Sequence, residues 1–217
     1  MLELFVIACF GLLAYRSAVI ENEEQTTGTI KVGERIGKLW DIAHLSMREN
    51  RFLRAEKALL TILKIDEKNA AAYNRLGILY AKQKEYRDAI DCFEIASSIE
   101  ATPSSLHNLG LIYFETENYE KAAVAFEQAL KLEDGLAARH VAYSKVQEKL
   151  GNLRLMFEHL EKAAELEPNR ETYSLLLKAY QTAGRAAEAD LLQEKLDKLI
   201  MPAGRRKRIL RPRRVVV

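Results

Sequence analysis

Apolar positions three and four residues apart recur along most of this 217-residue chain, from about residue 36 to residue 202. That spacing places an apolar stripe on one face of an α-helix. Short polar segments interrupt the stripes at regular intervals, and Pro168 and Pro202 stand where a helix cannot continue. The pattern therefore predicts an all-helical region built from pairs of antiparallel helices, without strands.

In the middle of the chain the apolar pattern repeats with a period of 33 residues. The residue types of one copy return 33 positions later, in the pairs Leu76/Leu109, Gly77/Gly110, Tyr80/Tyr113, Ala89/Ala122, Phe93/Phe126 and Ala96/Ala129. Small residues at a helix crossing let the two backbones approach closely, and large residues interdigitate around them. This combination of period and residue types resembles the tetratricopeptide repeat, a pair of antiparallel helices.

The resemblance implies a right-handed α-solenoid of about five helix–turn–helix hairpins. Placed in register, the repeat domain spans 36–202, and its hairpins fall at 36–69, 70–102, 103–136, 137–169 and 170–202. The outer hairpins depart from the pattern. Ser144 and Met156 stand at the small positions of the fourth hairpin, and Gln193 replaces the aromatic residue of the fifth. A polar residue there suits a terminal repeat, whose outer side faces water.

The segment 1–20 has a different character from the repeats. Only Glu3 and Arg16 carry charge in the span 2–20. A helix over that span would rise about 28 Å, close to the roughly 30 Å hydrocarbon core of a bilayer. We therefore expect one hydrophobic N-terminal helix that anchors the chain in a membrane. A cleaved signal peptide, a buried or interfacial helix, and lipidation of Cys9 are the alternatives.

Basic residues set the expected orientation of this anchor. None precedes the span, whereas Arg16, Lys31, Arg35 and Lys38 follow it. Because basic residues accumulate on the cytoplasmic side, we expect a single-pass membrane protein whose repeat domain faces the cytoplasm. Residues 21–35 are mostly polar and are interpreted as a linker.

The net charge of +2 conceals an asymmetry. The C-terminal tail, residues 203–217, carries seven basic residues: Arg205, Arg206, Lys207, Arg208, Arg211, Arg213 and Arg214. Residues 1–204 therefore hold 33 − 7 = 26 basic and 31 acidic side chains. The tail has three interpretations: a solubilising tail, a contact with anionic lipid, or a contact with nucleic acid such as ribosomal RNA. No aromatic residue lies among the basic ones, which argues against base stacking.

Side chains that could carry chemistry are scattered. The histidines have no metal-ligand spacing and lie at His44, His107, His140 and His159. There is no Gly-rich phosphate loop and no nucleophile elbow, and the two cysteines do not make a disulfide framework. We therefore predict that the protein is not an enzyme and uses no cofactor.

The resemblance also implies a binding surface, a concave groove lined by the first helices of successive hairpins. In this chain that face presents aromatic, apolar and basic side chains: Trp40, His44, Asn74, Ile78, Lys82, His107, Leu111, Phe114 and Lys145, with Met47, Val141 and Lys149 beside them. Core packing is the alternative interpretation for Ile78, Leu111 and Val141.

An apolar centre flanked by basic groups suits an extended or helical peptide with apolar anchors and some acidic residues. We therefore expect a non-catalytic, membrane-anchored scaffold that binds a polypeptide partner. The alternative from another class is a nucleic-acid- or ribosome-associated factor that uses the basic tail.

Overall fold

The structure, a computed structural model, describes residues 31–200. Within that range all regular secondary structure is helical, which confirms the all-helical prediction for these residues. The ten helical segments are α1 (31–48), α2 (Phe52–Ile65), α3 (Ala70–Gln83), α4 (Tyr86–Ile99), α5 (Pro103–Glu115), α6 (Tyr119–Leu132), α7 (Ala137–Lys149), α8 (Leu153–Leu166), α9 (Arg170–Thr182) and α10 (Ala186–Ile200).

The helices form two compact units that divide after Glu100. Unit 1 contains α1 to α4, and its fully buried side chains include Ala43, Leu59, Ile62 and Leu79. Unit 2 contains α5 to α10, and its buried side chains include Phe126, Val146, Met156, Leu160, Leu176 and Leu192. Each unit therefore has an apolar core of its own.

The turns between the two helices of each hairpin share one backbone motif. A single residue in each turn has a left-handed φ, between 56° and 76°, at Asn50, Lys84, Glu117, Gly151 and Gly184. The next amide donates to a carbonyl five residues earlier, as Asn118 N does to Tyr113 O at 2.8 Å. This closure satisfies a carbonyl that the helix end leaves free. Glycine adopts the left-handed φ without strain, whereas Asn50, Lys84 and Glu117 adopt it at a cost.

Side-chain caps begin several of the first helices. Thr102 and Ser105 form a capping box at the start of α5, with Pro103 at the first helical position. Asn169 and Thr172 form the same arrangement at the start of α9. These bonds satisfy amides that a helix start leaves unpaired, so the helix starts are specified locally.

A glycine of one helix lies beneath an aromatic ring of the other helix in two of the hairpins. A Cβ atom on Gly77 would lie 2.7 Å from the ring of Phe93, and one on Gly110 would lie 2.9 Å from the ring of Phe126. Both phenylalanines are almost completely buried. Any larger residue at either glycine would therefore displace a ring that has no free space to enter.

The predicted localisation is wrong. No helix within residues 31–200 is long and apolar enough to cross a membrane. Helices α2 to α10 contain at most 15 residues, a rise of about 22 Å against the roughly 30 Å that a span requires, and α1 carries charged residues such as Glu34 and Lys38. The expectation of a single-pass membrane protein with cytoplasmic repeats is corrected accordingly. The hydrophobic segment 2–20, on which that expectation depended, lies outside the described residues.

Candidate functional site

A groove with a volume of about 400 Å³ opens on unit 2. Side chains of α7, α8 and α9 line it, together with one residue of α5 and the residue that follows α9. The lining residues are Phe114, Val141, Ser144, Lys145, Glu148, Lys149, Leu153, Met156, Leu160, Leu175, Lys178, Ala179, Thr182 and Ala183. Met156 and Leu160 are buried, whereas the charged residues are exposed. The groove therefore has an apolar base and a charged rim.

The charges on the rim are unbalanced. Lys145, Lys149 and Lys178 contribute three positive charges and Glu148 one negative charge, which gives 3 − 1 = +2. None of the three lysines belongs to an ion pair within residues 31–200. Their ammonium groups are therefore available to a bound carboxylate.

The groove lies where the α7/α8 hairpin departs from the repeat pattern. Ser144 and Leu160 occupy the positions that Gly110 and Phe126 occupy in the α5/α6 hairpin, 34 residues earlier. The Ser144 hydroxyl donates to Val141 O at 2.8 Å. Leucine is smaller than phenylalanine, so Leu160 covers less of the facing helix than Phe126 does. Both Ser144 and Leu160 line the groove as a result.

Two of the predicted site residues, Phe114 and Lys145, meet in this groove. Phe114 is half-buried at the end of α5, and its ring meets that of Tyr119 edge to face at 5.6 Å. Lys145 is exposed on α7. His107 and Leu111, which were predicted on the same face of α5, are not among the lining residues, although Leu111 is exposed.

His107 lies partly inside unit 2. Its ring meets that of Phe126 edge to face at 5.4 Å, and its buried Nδ1 atom has no hydrogen-bond partner within residues 31–200. Burial, and then the positive charge of Arg139, lower the pKa of His107 below its ordinary value. The imidazole is therefore uncharged at neutral pH.

The remaining predicted groove residues belong to unit 1. Trp40 and Ile78 are half-buried and pack against the core of that unit. His44 is exposed, with its ring 5.4 Å from that of Trp40. Asn74 is half-buried and Lys82 is exposed. The packing of Ile78 agrees with the alternative interpretation of this residue as part of the core.

Sequence reasoning missed the contribution of the second helix of the hairpin. It assigned the binding surface to the first helices alone, whereas Leu153, Met156 and Leu160 of α8 supply much of the apolar lining. A signal was present in the sequence. Ser144 and Met156 stand where the central repeats have glycine and alanine, and both of these exceptions line the groove.

An ion pair between a buried arginine and an exposed glutamate holds the start of α7. Arg139 is only 2% exposed, and its Nη2 atom lies 3.1 Å from Glu133 Oε2. Its Nη1 atom donates to the carbonyl oxygen of Glu133. A buried guanidinium requires such partners, because an unpaired charge in the interior is strongly unfavourable. The pair therefore ties the connection between α6 and α7 to the helix that lines the groove.

Metal-ligating side chains do not gather in the described part of the chain: no group of three or more His, Cys, Asp or Glu there could hold a metal ion. The basic residues predicted to contact lipid or nucleic acid, from Arg205 to Arg214, lie outside residues 31–200. Their role stays a prediction.

Comparison with known proteins identifies the repeats. Residues 70–100 and 103–135 match the tetratricopeptide repeat, which confirms the predicted repeats in these two segments. No curated protein matches the chain.

Solved structures show the same fold over most of the chain. A crystal structure of MamA protein has a TM-score of 0.67 and 23% identity, and the match covers 76% of this chain and 92% of that chain. MamA from Desulfovibrio magneticus RS-1 has a TM-score of 0.64 and 15% identity, over 76% of this chain and 93% of that one. YrrB, described as a TPR protein with an unusual peptide-binding site, has a TM-score of 0.61 and 19% identity, and the match covers 72% of this chain and 82% of that chain. The fold is thus that of tetratricopeptide-repeat proteins, which typically bind other polypeptides on extended surfaces.

Proposed function

We propose that this protein is a non-catalytic scaffold that binds a polypeptide partner in the groove lined by α7, α8 and α9. The partner carries large apolar side chains with acidic residues beside them. The observation that supports this proposal is the groove itself, with the apolar side chains of Met156 and Leu160 at its base and a net charge of +2 on its rim.

The groove has a suitable size for such a ligand. Its volume of about 400 Å³ lies within the range of roughly 300–1,000 Å³ that binding pockets occupy. One or two large apolar side chains fit in that space. Aromatic and aliphatic anchors supply most of the free energy of binding at interfaces, and Phe114 offers them an aromatic contact at one end.

The lysines decide which apolar peptides are preferred. Lys145, Lys149 and Lys178 surround an apolar base, so a peptide with carboxylates next to its anchors gains attraction and a defined orientation. A basic peptide with the same anchors is repelled. The described peptide-binding site of YrrB supports this proposal by similarity of fold alone.

The test uses a labelled synthetic peptide in which Leu and Phe alternate with Asp and Glu, with binding measured by fluorescence anisotropy. Ala183 lines the groove and is exposed, so Ala183→Trp should fill the groove without disturbing the core. Ala187 is exposed on α10 and is not a lining residue, so Ala187→Trp is the matched control.

We expect the wild-type chain and Ala187→Trp to bind this peptide equally, and Ala183→Trp to lose most of the binding. A second peptide, with Asn and Gln in place of Asp and Glu, should bind more weakly. The proposal is wrong if the acidic peptide does not bind, or if Ala183→Trp binds it as the wild type does.

A further inference from the structure

A pair of histidines joins α7 to α8, and each of them precedes a groove-lining residue in the sequence. The Nδ1 atoms of His140 and His159 lie 2.8 Å apart. The ring centroids are 5.1 Å apart and the ring planes differ by 25°. Because the centroids are farther apart than the nitrogens, the two rings meet nitrogen to nitrogen rather than face to face. His140 is 4% exposed, so water has little access to this contact.

The neighbours of His140 determine where the protons lie. Its Nε2 atom is 2.8 Å from the carbonyl oxygen of Asp134, which can only accept a hydrogen bond. His140 therefore carries its proton on Nε2 and accepts at Nδ1. A neutral imidazole has one N–H group, so the proton between the rings belongs to Nδ1 of His159.

Several charged or titratable groups surround the pair. Arg139 pairs with Glu133, and Asp134 lies beside the histidines in the connection that precedes α7. The ring of Tyr143 meets that of His159 edge to face at 4.6 Å, and Glu158 on α8 interacts electrostatically with His159. Glu127 and Lys131 on α6 interact electrostatically with Tyr143. Burial, and then the neighbouring His140, lower the pKa of His159, whereas Glu158 raises it. The balance favours the neutral ring at neutral pH.

We propose that the His140–His159 pair is a pH-sensitive lock that keeps α7 and α8 together and so preserves the groove, an inference that rests on the proposed function. A first added proton enters on His159 Nε2 and leaves the hydrogen bond between the rings in place, but protonation of both rings leaves two N–H groups facing each other. Once both rings are protonated, two positive charges repel at close range. Val141 and Leu160 follow His140 and His159 in sequence and both line the groove. Separation of the pair therefore alters the groove.

The sign of the effect follows from linkage. A histidine in the unfolded chain titrates near pH 6.5, and the pKa of His159 in the folded chain is lower. Between these two values the unfolded chain binds more protons than the folded chain. His159 thus contributes stability above about pH 6.5 that is progressively lost as the pH falls through that window.

The direction of the change in affinity separates this lock from simple electrostatics. Protonated histidines add positive charge near the groove, which by itself strengthens the binding of an acidic peptide. Opening of the hairpin weakens binding instead. A peptide that binds more tightly in acid would therefore overturn the inference.

The proton positions can be tested first, on the full chain, by long-range ¹H–¹⁵N correlation of the imidazoles at about pH 8. We expect the Nε2–H tautomer for His140 and the less common Nδ1–H tautomer for His159. Any other pair of tautomers contradicts the proposed lock.

Separation of α7 from α8 in acid is tested by hydrogen exchange of the α8 amides and by the affinity for the acidic peptide, each measured at about pH 7.5 and about pH 5.5. The double variant His140→Gln, His159→Asn places amides where the rings were. The glutamine can still donate to Asp134, and neither amide titrates. His44→Gln, at an exposed histidine of unit 1, is the matched control.

In acid we expect the wild type and His44→Gln to lose protection of α8, after correction for intrinsic exchange, and about fivefold or more in affinity. The double variant should show neither change. His107 also has a lowered pKa, but it is common to every variant and does not affect the difference between them.

Equal loss of protection in the wild type and the double variant would overturn the lock. If the peptide binds at neither pH, the proposed function fails, while the exchange of the ligand-free chain still decides whether the hairpin opens. If the double variant does not fold, the tautomers and the hydrogen exchange of the wild type still decide whether the histidine pair holds α7 and α8 together.

Discussion

Two neighbouring hairpins of unit 2 show how one repeat pattern gives both closed packing and a groove. In α5/α6, Gly110 lies beneath the fully buried ring of Phe126, and a Cβ atom there would be only 2.9 Å from that ring. In α7/α8, Ser144 and Leu160 hold the same two positions and line a groove of about 400 Å³. Serine in place of glycine and leucine in place of phenylalanine thus coincide with an accessible apolar groove where the neighbouring hairpin has a packed interior.

The same two hairpins differ in the polarity of a second pair of positions. His140 and His159 correspond to Leu106 and Ala125, which lie 34 residues earlier and are buried apolar side chains. In α7/α8 a hydrogen bond joins the two side chains at these positions. Apolar packing does not depend on pH, whereas the imidazole contact does. At this pair of positions α7/α8 therefore carries titratable side chains where α5/α6 carries apolar ones.

The largest effect is expected from Gly110→Leu, which breaks the closed packing of α5/α6. The new side chain would collide with the ring of Phe126, so the two helices must separate, at a cost of about 1–3 kcal/mol or more in the free energy of unfolding. Urea denaturation measures this loss.

Lys131→Leu is the control for that substitution. Lys131 is 69% exposed and pairs with Glu127 on the surface, so its replacement should change the free energy of unfolding by no more than about 0.5 kcal/mol. Similar losses at both sites would mean that Gly110 does not lie at a close helix crossing.

Phe114→Ala tests the apolar end of the groove. The ring is half-buried among groove residues, and its removal should weaken binding of the acidic peptide by about 2 kcal/mol, mainly through faster dissociation. Surface plasmon resonance measures both rates.

Phe52→Ala is the matched control for Phe114→Ala, because Phe52 is a half-buried phenylalanine that packs against the core of unit 1. It should reduce stability and leave the affinity unchanged. Retained affinity in a folded Phe114→Ala variant would exclude this end of the groove from the binding site.

Much of the fold was predictable because its determinants are local or periodic. The glycine and phenylalanine positions recur 33 residues apart, and Thr102 with Pro103 marks a helix start in the sequence itself. Such features depend on residues close together in the chain or on a repeated contact. The helical hairpins and the repeats could therefore be predicted from the sequence alone.

The groove was only partly predictable, because it depends on how side chains of different hairpins pack. Phe114 and Lys145 were found from their register on the first helices. Leu175 and Ala179 line the same groove only because α9 packs beside α8, and no periodic pattern reports that geometry. The hydrogen bond between His140 and His159 also joins residues of different helices, 19 positions apart.

Exchanging the distinctive residues of the two hairpins sharpens the comparison. The double variant Ser144→Gly, Leu160→Phe gives α7/α8 the glycine and phenylalanine of α5/α6. The phenylalanine ring should cover the glycine and occupy part of the groove, so the affinity for the acidic peptide should fall about tenfold, or about 1.4 kcal/mol. Anisotropy titration measures this change, and circular dichroism confirms the helical fold.

The conservative exchange Leu160→Met is its control, because it changes the shape of the side chain but not its polarity or approximate volume. Affinity should then change little. A double variant that binds the peptide at wild-type affinity would show that the Ser144 and Leu160 positions do not control the groove.

The smallest effect is expected from Lys145→Glu, which tests the charge on the rim. Lys145 is exposed, so reversal of its charge should reduce affinity by no more than about 1 kcal/mol in ordinary buffer. The reduction should shrink as salt is added, because exposed charges are screened over roughly 8–10 Å at physiological ionic strength. Isothermal titration at low and high salt measures both effects. Lys68→Glu reverses the charge of another exposed lysine, outside the groove, and should leave affinity almost unchanged. A loss that is the same at both salt concentrations would point to altered packing rather than charge, because only a screened interaction weakens with ionic strength.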